Sequence, residues 1–348
     1  MKPPFVHGKI AKGKSFIDRK NELKQLANNF NSGTNTIITS PPRWGKTSLV
    51  LKTAEHVSRT TPSIRFCQMD LSYVQDKNQF LEIFAREILR SCEDLPLKLS
   101  WKAVKHDEEV ILNLPEQIAR KKKIRFVICL DEFQKIAEMR GIQSFLKKLR
   151  SHWQDHTHAS YCLCAGRRQV ITKLFSAADQ PFYGFGDHIY LQKIKSRYWY
   201  EHIEERFTAS GKIISREIVE RILDVTNRHP YHIQQLSLAL WKITTKQATH
   251  ENFNASLDDL LLNNEIMFEK EVENLTPLQF RYLAAIVNRE SHLNSMSTIL
   301  QYNLGSPGNL STIKAALETK QIVDFYESEP AFINPLFEHW FRNVVSPN

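Results

Sequence analysis

Long apolar runs are missing from this chain. No stretch approaches the ~18 uninterrupted apolar residues of a membrane helix, and the opening Met1-Lys2-Pro3-Pro4-Phe5-Val6-His7 lacks the apolar centre of a secretory signal. The expectation is a soluble, cytoplasmic protein with no membrane partner. Cysteine is scarce. Cys67, Cys92, Cys129, Cys162 and Cys164 are odd in number and show no Cys-x-x-Cys spacing, which argues against a disulfide framework or a structural zinc and for reduced core thiols. Internal repeats and low-complexity tracts are also absent, which leaves no sign of a repeat array.

What is present is a chain of 348 residues, enough for two or three units at roughly 100–200 residues each. With 42% hydrophobic and 24% charged residues it lies in the globular range, and wholesale disorder is excluded. Lys and Arg number 47 against 38 Asp and Glu, a formal charge of +9 that favours polyanionic partners without locating them. Part of the excess is local, at Arg120-Lys121-Lys122-Lys123 with Arg125, at Lys147-Lys148 with Arg150, and at Arg167-Arg168. The plain reading of such runs is a solvated face.

Apolar spacing divides the chain. Ile37 and Ile38 centre a short apolar run, and Leu49, Val50, Ala54 and Val57 follow at helical spacing, giving a strand, a loop and a helix. Residues 63–70 read as a second strand, followed by a helix with Phe80, Ile83, Phe84, Ile88 and Leu89 on one face. Residues 125–131 form a nearly unbroken apolar strand of the kind buried on both faces of a parallel sheet, with helical periodicity after it at Ile142, Phe145, Leu146 and Leu149. Residues 159–165 and 187–191 supply two more strands. The alternation predicts an α/β core over residues 36–195, a parallel sheet with helices on both faces. Beyond it the periodicity is helical, as at Ile218, Val219, Ile222 and Leu223. Thr276-Pro277-Leu278-Gln279 carries the Thr cap, the Pro and the Gln of a capping box. Three helices and a β-like segment at 321–325 match the content of a winged helix.

The sharpest motif is Ser40-Pro41-Pro42-Arg43-Trp44-Gly45-Lys46-Thr47. It fits the phosphate-loop pattern G-x-x-x-x-G-K-[ST] except that Ser40 holds the first glycine position, and it lies after a strand and before a helix, as that pattern requires. Backbone N–H groups from Trp44 to Ser48 would cradle a phosphate at the positive end of the helix. Lys46 would reach the β- and γ-phosphates, and the Thr47 hydroxyl would bind Mg²⁺. Pro41 and Pro42 have no N–H to give, but they precede the donating segment.

The second motif is the apolar strand that ends in Asp131 and Glu132, at the carboxyl edge where ligands sit in open α/β sheets. Asp131 would hold Mg²⁺ through water, and Glu132 would polarise the water that attacks the γ-phosphate. Triphosphate and metal are therefore expected at the ends of two neighbouring strands. A strand at 63–70, between Lys46 and Asp131 in sequence, is the arrangement of ATPases with a catalytic glutamate. The Asn-Lys-x-Asp motif of GTPases is absent, so adenine is the expected base. After the fourth strand, Arg167 reads as a γ-phosphate sensor and Arg168 as a finger toward a neighbouring subunit, against a competing reading of both as surface or nucleic-acid-facing charge. Arg228-His229-Pro230-Tyr231 opens a helix and reads either as a loop closing over a nucleotide or as a plain helix-helix turn.

On these residues the chain resembles the archaeal and bacterial ATPase family related to the STAND branch of AAA+ proteins, along nearly all of its length. Pro4-Phe5-Val6-His7-Gly8-Lys9 and Phe16-Ile17-Asp18-Arg19-x-x-Glu22-Leu23 are similar to that family's N-terminal box, which implies Phe16 and Arg19 near the adenine. Arg43-Trp44-Gly45-Lys46-Thr47-Ser48-Leu49 and Leu130-Asp131-Glu132-Phe133-Gln134 resemble its phosphate and Mg²⁺ motifs. Arg167 falls at its sensor arginine, and His229-Pro230-Tyr231 resembles its Gly-His-Pro-Tyr lid motif, which implies a base contact by His229 and Pro230. Asn334-Pro335-Leu336-Phe337-x-x-Trp340 is similar to its closing motif in a winged helix. The departures are Ser40 for the first loop glycine, Gly166 for a frequent Ser, Gln169 for a frequent His and Arg228 for the lid glycine.

Motifs and resemblance together predict an N-terminal segment and first helix at 1–35 packing on the nucleotide site, a P-loop NTPase core at 36–195, a helical lid at 196–262 and a winged helix at 263–348. The expected activity is a Mg²⁺-ATP-dependent conformational switch that hydrolyses slowly without a protein partner or self-assembly. Two alternatives stay open. One is an ATP-licensed regulator of duplex DNA similar to replication initiators; the other is a nucleotide-stabilised scaffold for protein interaction.

Overall fold

Residues with bulky apolar side chains make the five strands predicted from sequence, and every pairing among them is parallel. The computed structural model describes residues 3–95, 100–175, 178–326 and 329–345, with backbone alone at 168, 169, 171 and 173. Two compact units appear by contact, one of residues 10–192 and the other of residues 1–9 with 193–348.

The first unit runs α1 (Lys20–Ser32), β1 (Thr36–Thr39), α2 (Lys46–Thr60), β2 (Ile64–Asp70), α3 (Lys77–Arg90), α4 (Trp101–Val104), α5 (Glu108–Lys122), β3 (Arg125–Asp131), α6 (Gln134–Ala137), α7 (Gln143–Asp155), β4 (Ala159–Ala165), α8 (Arg168–Phe175) and β5 (Asp187–Tyr190). The strand order is β2-β3-β4-β1-β5. All of β4 and the five residues from Phe126 to Leu130 in β3 are buried, because helices cover both faces. Alternate residues serve opposite cores. Ile38, Val127, Cys129, Cys162 and Cys164 pack with Leu49 and Val50 of α2, while Ile37, Ile128, Leu130, Tyr161 and Leu163 pack with α3, α5 and α7. In the second of these cores the ring of Trp153 stacks on Tyr161 at 4.2 Å. All five cysteines are free and buried, as expected of core thiols.

The second unit contains α9 (Ser196–Thr208), α10 (Arg216–Val225), α11 (Pro230–Ile243), α12 (His250–Glu273), α13 (Pro277–Val287), α14 (Met296–Gln301), α15 (Pro307–Thr319), the antiparallel pair β6 (Val323–Asp324) and β7 (Ala331–Phe332), and α16 (Pro335–Val345). The capping box at Thr276 is formed: its hydroxyl accepts from Gln279 N–H at 3.3 Å, and Gln279 Oε1 accepts from Thr276 N–H at 3.1 Å. Phe5 is buried in this unit with its ring edge-on to His202 at 6.1 Å, and Val6 N–H donates to Gln234 Oε1 at 3.1 Å. Among the described residues, no helix is long and apolar enough to cross a membrane.

Candidate functional site

The loop from β1 to α2 depends on one glycine. Gly45, the residue before α2, has φ +93°, a left-handed conformation that a side chain would strain. Gly45, as N-cap, has no side chain with which to cap the first-turn N–H groups of α2. Arg43 is exposed with φ +62°, while Trp44 is buried. Lys46 is only 5% exposed, and its ammonium donates to Ser40 O at 3.2 Å, Ser40 Oγ at 3.5 Å and Pro41 O at 3.4 Å. The hydroxyl that replaces the first glycine is thus an additional acceptor for the lysine. Burial lowers the Lys46 pKa, and the nearby charges of Glu132 and Asp131 work against that fall.

The acid pair sits across from this loop. Thr47 Oγ1 donates to Asp131 Oδ2 at 2.6 Å, and the other Asp131 oxygen accepts from Glu132 N–H at 3.1 Å. Glu132 has φ +56°, sparsely populated for a residue with a side chain. The chain is held there because Phe133 N–H donates to Cys164 O at 2.9 Å and the Phe133 ring is fully buried. Gln134, to which the sequence reading assigns no role, is 1% exposed and bonds to Glu132 Oε2. Its place at the end of the Leu130-Asp131-Glu132-Phe133-Gln134 motif was the available signal.

One expectation is corrected. β1 and β3 are not neighbours, because β4 lies between them. The residues meet nonetheless because the loop after β1 passes over the end of β4, where Ser40 N–H donates to Ala165 O at 3.4 Å. A Cβ on Gly166 would stand 3.7 Å from Lys46 Nζ and 3.8 Å from both Glu132 Oε1 and Pro42 Cγ. The end of β4 is the floor between the lysine and the acid.

The other predicted residues lie on several elements of both units. Arg167 Nη1 pairs with Glu138 Oε1 at 2.6 Å, which commits its guanidinium to the residue that follows α6. Arg168 opens α8, and its side chain lies outside the described residues. Ala11 N–H donates to Ser48 Oγ at 3.0 Å, and the Lys52 ammonium lies 4.1 Å from the centre of the Phe16 ring, so the segment before α1 is tied along α2. Arg19 is 5% exposed and donates to Glu22 Oε1 at 3.0 Å and Gln192 O at 2.6 Å. His229 and Pro230 belong to the helical unit, as N-cap and first residue of α11. Arg228, in place of the lid glycine, has φ +55°, a conformation that glycine adopts without cost.

The donor set fits Mg²⁺. A hydroxyl and a carboxylate are hard oxygen ligands already side by side, and Mg²⁺ takes few protein ligands beside water and phosphate. Among the described residues no group of three or more His, Cys, Asp or Glu could hold a metal, even though His229 and His232 stand at His-x-x-His spacing.

No curated protein matches this sequence. The Walker-type ATPase of Pyrococcus abyssi is similar in structure with a TM-score of 0.76 and 13% identity, over 97% of this chain and 99% of that one. The Aeropyrum pernix ORC2 protein, in ADPNP and ADP complexes, aligns at 0.65 and 16% identity over 99% and 97%. The ORC1 protein of the same organism, in complex with DNA, aligns at 0.55 and 11% over 95% and 94%. These likenesses establish the P-loop NTPase fold of the parallel sheet and its helices. Residues 16–236 match a family described as an ATPase domain predominantly from Archaea, and the chain belongs to that family.

Proposed function

We propose that this chain is a Mg²⁺-ATP-binding, AAA+-type ATPase that works as a nucleotide-dependent conformational switch. The observation that carries the reading is the convergence of Lys46, Thr47, Asp131 and Glu132 around the end of β4, with Thr47 and Asp131 2.6 Å apart. The N–H groups of residues 44–48 bind the β-phosphate at the start of α2. Lys46 exchanges its loop carbonyls for phosphate oxygens. Thr47, and Asp131 through water, would hold Mg²⁺, which would supply positive charge against the phosphate oxygens. Glu132 takes a proton from water as the water oxygen bonds to the γ-phosphorus and the bond to the β,γ-bridging oxygen breaks, giving ADP and inorganic phosphate. Arg167 reaches the γ-phosphate by leaving Glu138. Residues 36–195 form the catalytic core, 196–262 a lid that closes over the base through His229 and Pro230, and 263–348 a winged helix whose position reports the nucleotide state. Phe16 and Arg19 flank the base from the core side.

Lys46→Ala abolishes ATP binding in calorimetry, whereas Glu132→Gln keeps binding and stops phosphate release. Unchanged ATP affinity in the lysine variant would remove this reading.

A second reading, an ATP-licensed DNA-binding regulator, is favoured by the exposed cations Arg120, Lys121 and Lys123 at the carboxyl end of α5. They precede β3, so they lie at its amino end, away from Asp131. The winged helix contributes little to this reading. On α15, Lys314 donates to Asn294 Oδ1 at 2.9 Å, and Lys320 just beyond it donates to Asn274 O. Salt-dependent binding of duplex DNA, weakened when Lys121 and Lys123 become Gln, supports the second reading; its absence in fluorescence anisotropy discards it.

A further inference from the structure

Gln134 uses both ends of one amide. Its Nε2 donates to Glu132 Oε2 at 2.5 Å, and its Oε1 accepts from Gly166 N–H at 3.3 Å. The residue is 1% exposed, so leaving either end unmatched would cost free energy, and neither is left so. The two partners belong to different strands: Glu132 follows β3, and Gly166 follows β4 and precedes Arg167. The backbone of Glu132 is fixed independently by its own N–H on Asp131 and by Phe133 N–H on Cys164 O, so the amide acts on the side chain. With Oε2 tied to Gln134, Oε1 lies toward Gly166, on the side where Lys46 Nζ also approaches.

We propose that Gln134 is a positioning residue for ATP hydrolysis: it holds one oxygen of Glu132 so that the other faces the attacking water, and it joins that acid to the peptide that carries Arg167. The proposal rests on the reading of Glu132 as the general base. An amide suits the role because it does not titrate. Its N–H₂ donates at every working pH, and its oxygen takes the Gly166 N–H at the same time. A glutamate at the same place would set carboxylate against carboxylate, a pair that relaxes only by sharing a proton.

That difference supplies a signature that a merely structural role would not give. Gln134→Ala and Gln134→Glu are compared with the intact chain for ATP affinity by calorimetry, Tm without nucleotide, and kcat from about pH 6 to about pH 8. Both variants keep ATP affinity within about threefold and lose about 10–100-fold in kcat at the alkaline end, the range typical of groups that orient a reacting residue. The Gln134→Glu rate, relative to the intact chain, climbs as pH falls because the protonated carboxyl donates again. The Gln134→Ala ratio stays flat. An alanine variant with full or raised kcat, a loss confined to ATP affinity, or a flat ratio for Gln134→Glu overturns the proposal. Lys46-dependent turnover with full-rate Gln134 variants removes this proposal alone, whereas an intact chain without Lys46-dependent turnover removes the ATPase reading and the proposal together.

Discussion

Two buried groups, one in each unit, meet opposite surroundings. In the sheet unit Lys46 is buried beside Asp131 and Glu132, whose charges counter the desolvation that lowers its pKa. In the helical unit His202 is buried beside Arg206, and desolvation followed by that like charge pushes its pKa down to about 4. In the first arrangement opposite charges favour the charged form of the lysine; in the second a like charge adds to burial in disfavouring the charged imidazole. Left-handed residues serve two ends in this fold. In the helical unit Asn227, Arg228, Arg289, Asn303 and Gln321 each follow the end of a helix, and N–H groups beyond them return to the last turn, as Ile322 N–H does to Leu317 O at 3.0 Å. In the sheet unit Lys123 stops α5 in the same way, with Ile124 N–H on Ala119 O at 3.1 Å, whereas Arg43, Gly45 and Glu132 lie just beyond the ends of β1 and β3. One backbone geometry both stops helices and turns the chain beyond two of the strands.

The largest test of this contrast is acid stability. Below the ordinary histidine pKa of 6.5 the unfolded chain binds more protons than a fold that holds His202 neutral down to about 4. Stability therefore falls as pH drops through that window, by about 3 kcal/mol from this residue at full effect. His202→Gln flattens the slope in urea unfolding measured between those limits, and an unchanged slope would break the comparison. A smaller test concerns the backbone. Arg228→Gly relieves a left-handed side chain and raises stability by about 1 kcal/mol in thermal unfolding. A loss of stability there would mean that the arginine side chain holds the turn together.

Much of the sheet was legible because β3 and β4, covered on both faces, read as continuous apolar runs, and the expected strands end within one residue of the observed ones. The β-like segment at 321–325 shortens to two residues, since a two-rung ladder has little sheet to extend it. α5 was hidden by Pro115 inside it and by a last turn whose Arg120, Lys121 and Lys122 read only as a charge run. α12 alternates Asn, Asp and Glu with Leu, which blurs its apolar stripe over 24 residues. At the site, Lys46, Thr47, Asp131 and Glu132 were readable because phosphate and metal chemistry restricts residue type and spacing. The insertion of β4, the Arg167–Glu138 pair and the bridge made by Gln134 were not, since each depends on which distant segments pair in the sheet.

The inward-facing thiols have a practical consequence. Burial raises the pKa of Cys67 and Cys92, and none of the five sulfurs presents an open surface to an alkylating dye. A single cysteine introduced at Leu262, whose side chain is 68% exposed, would be a unique attachment point on an otherwise unreactive background. With a second at Tyr73, 85% exposed, it would give a fluorophore pair with one dye on each unit while every native cysteine stays in place.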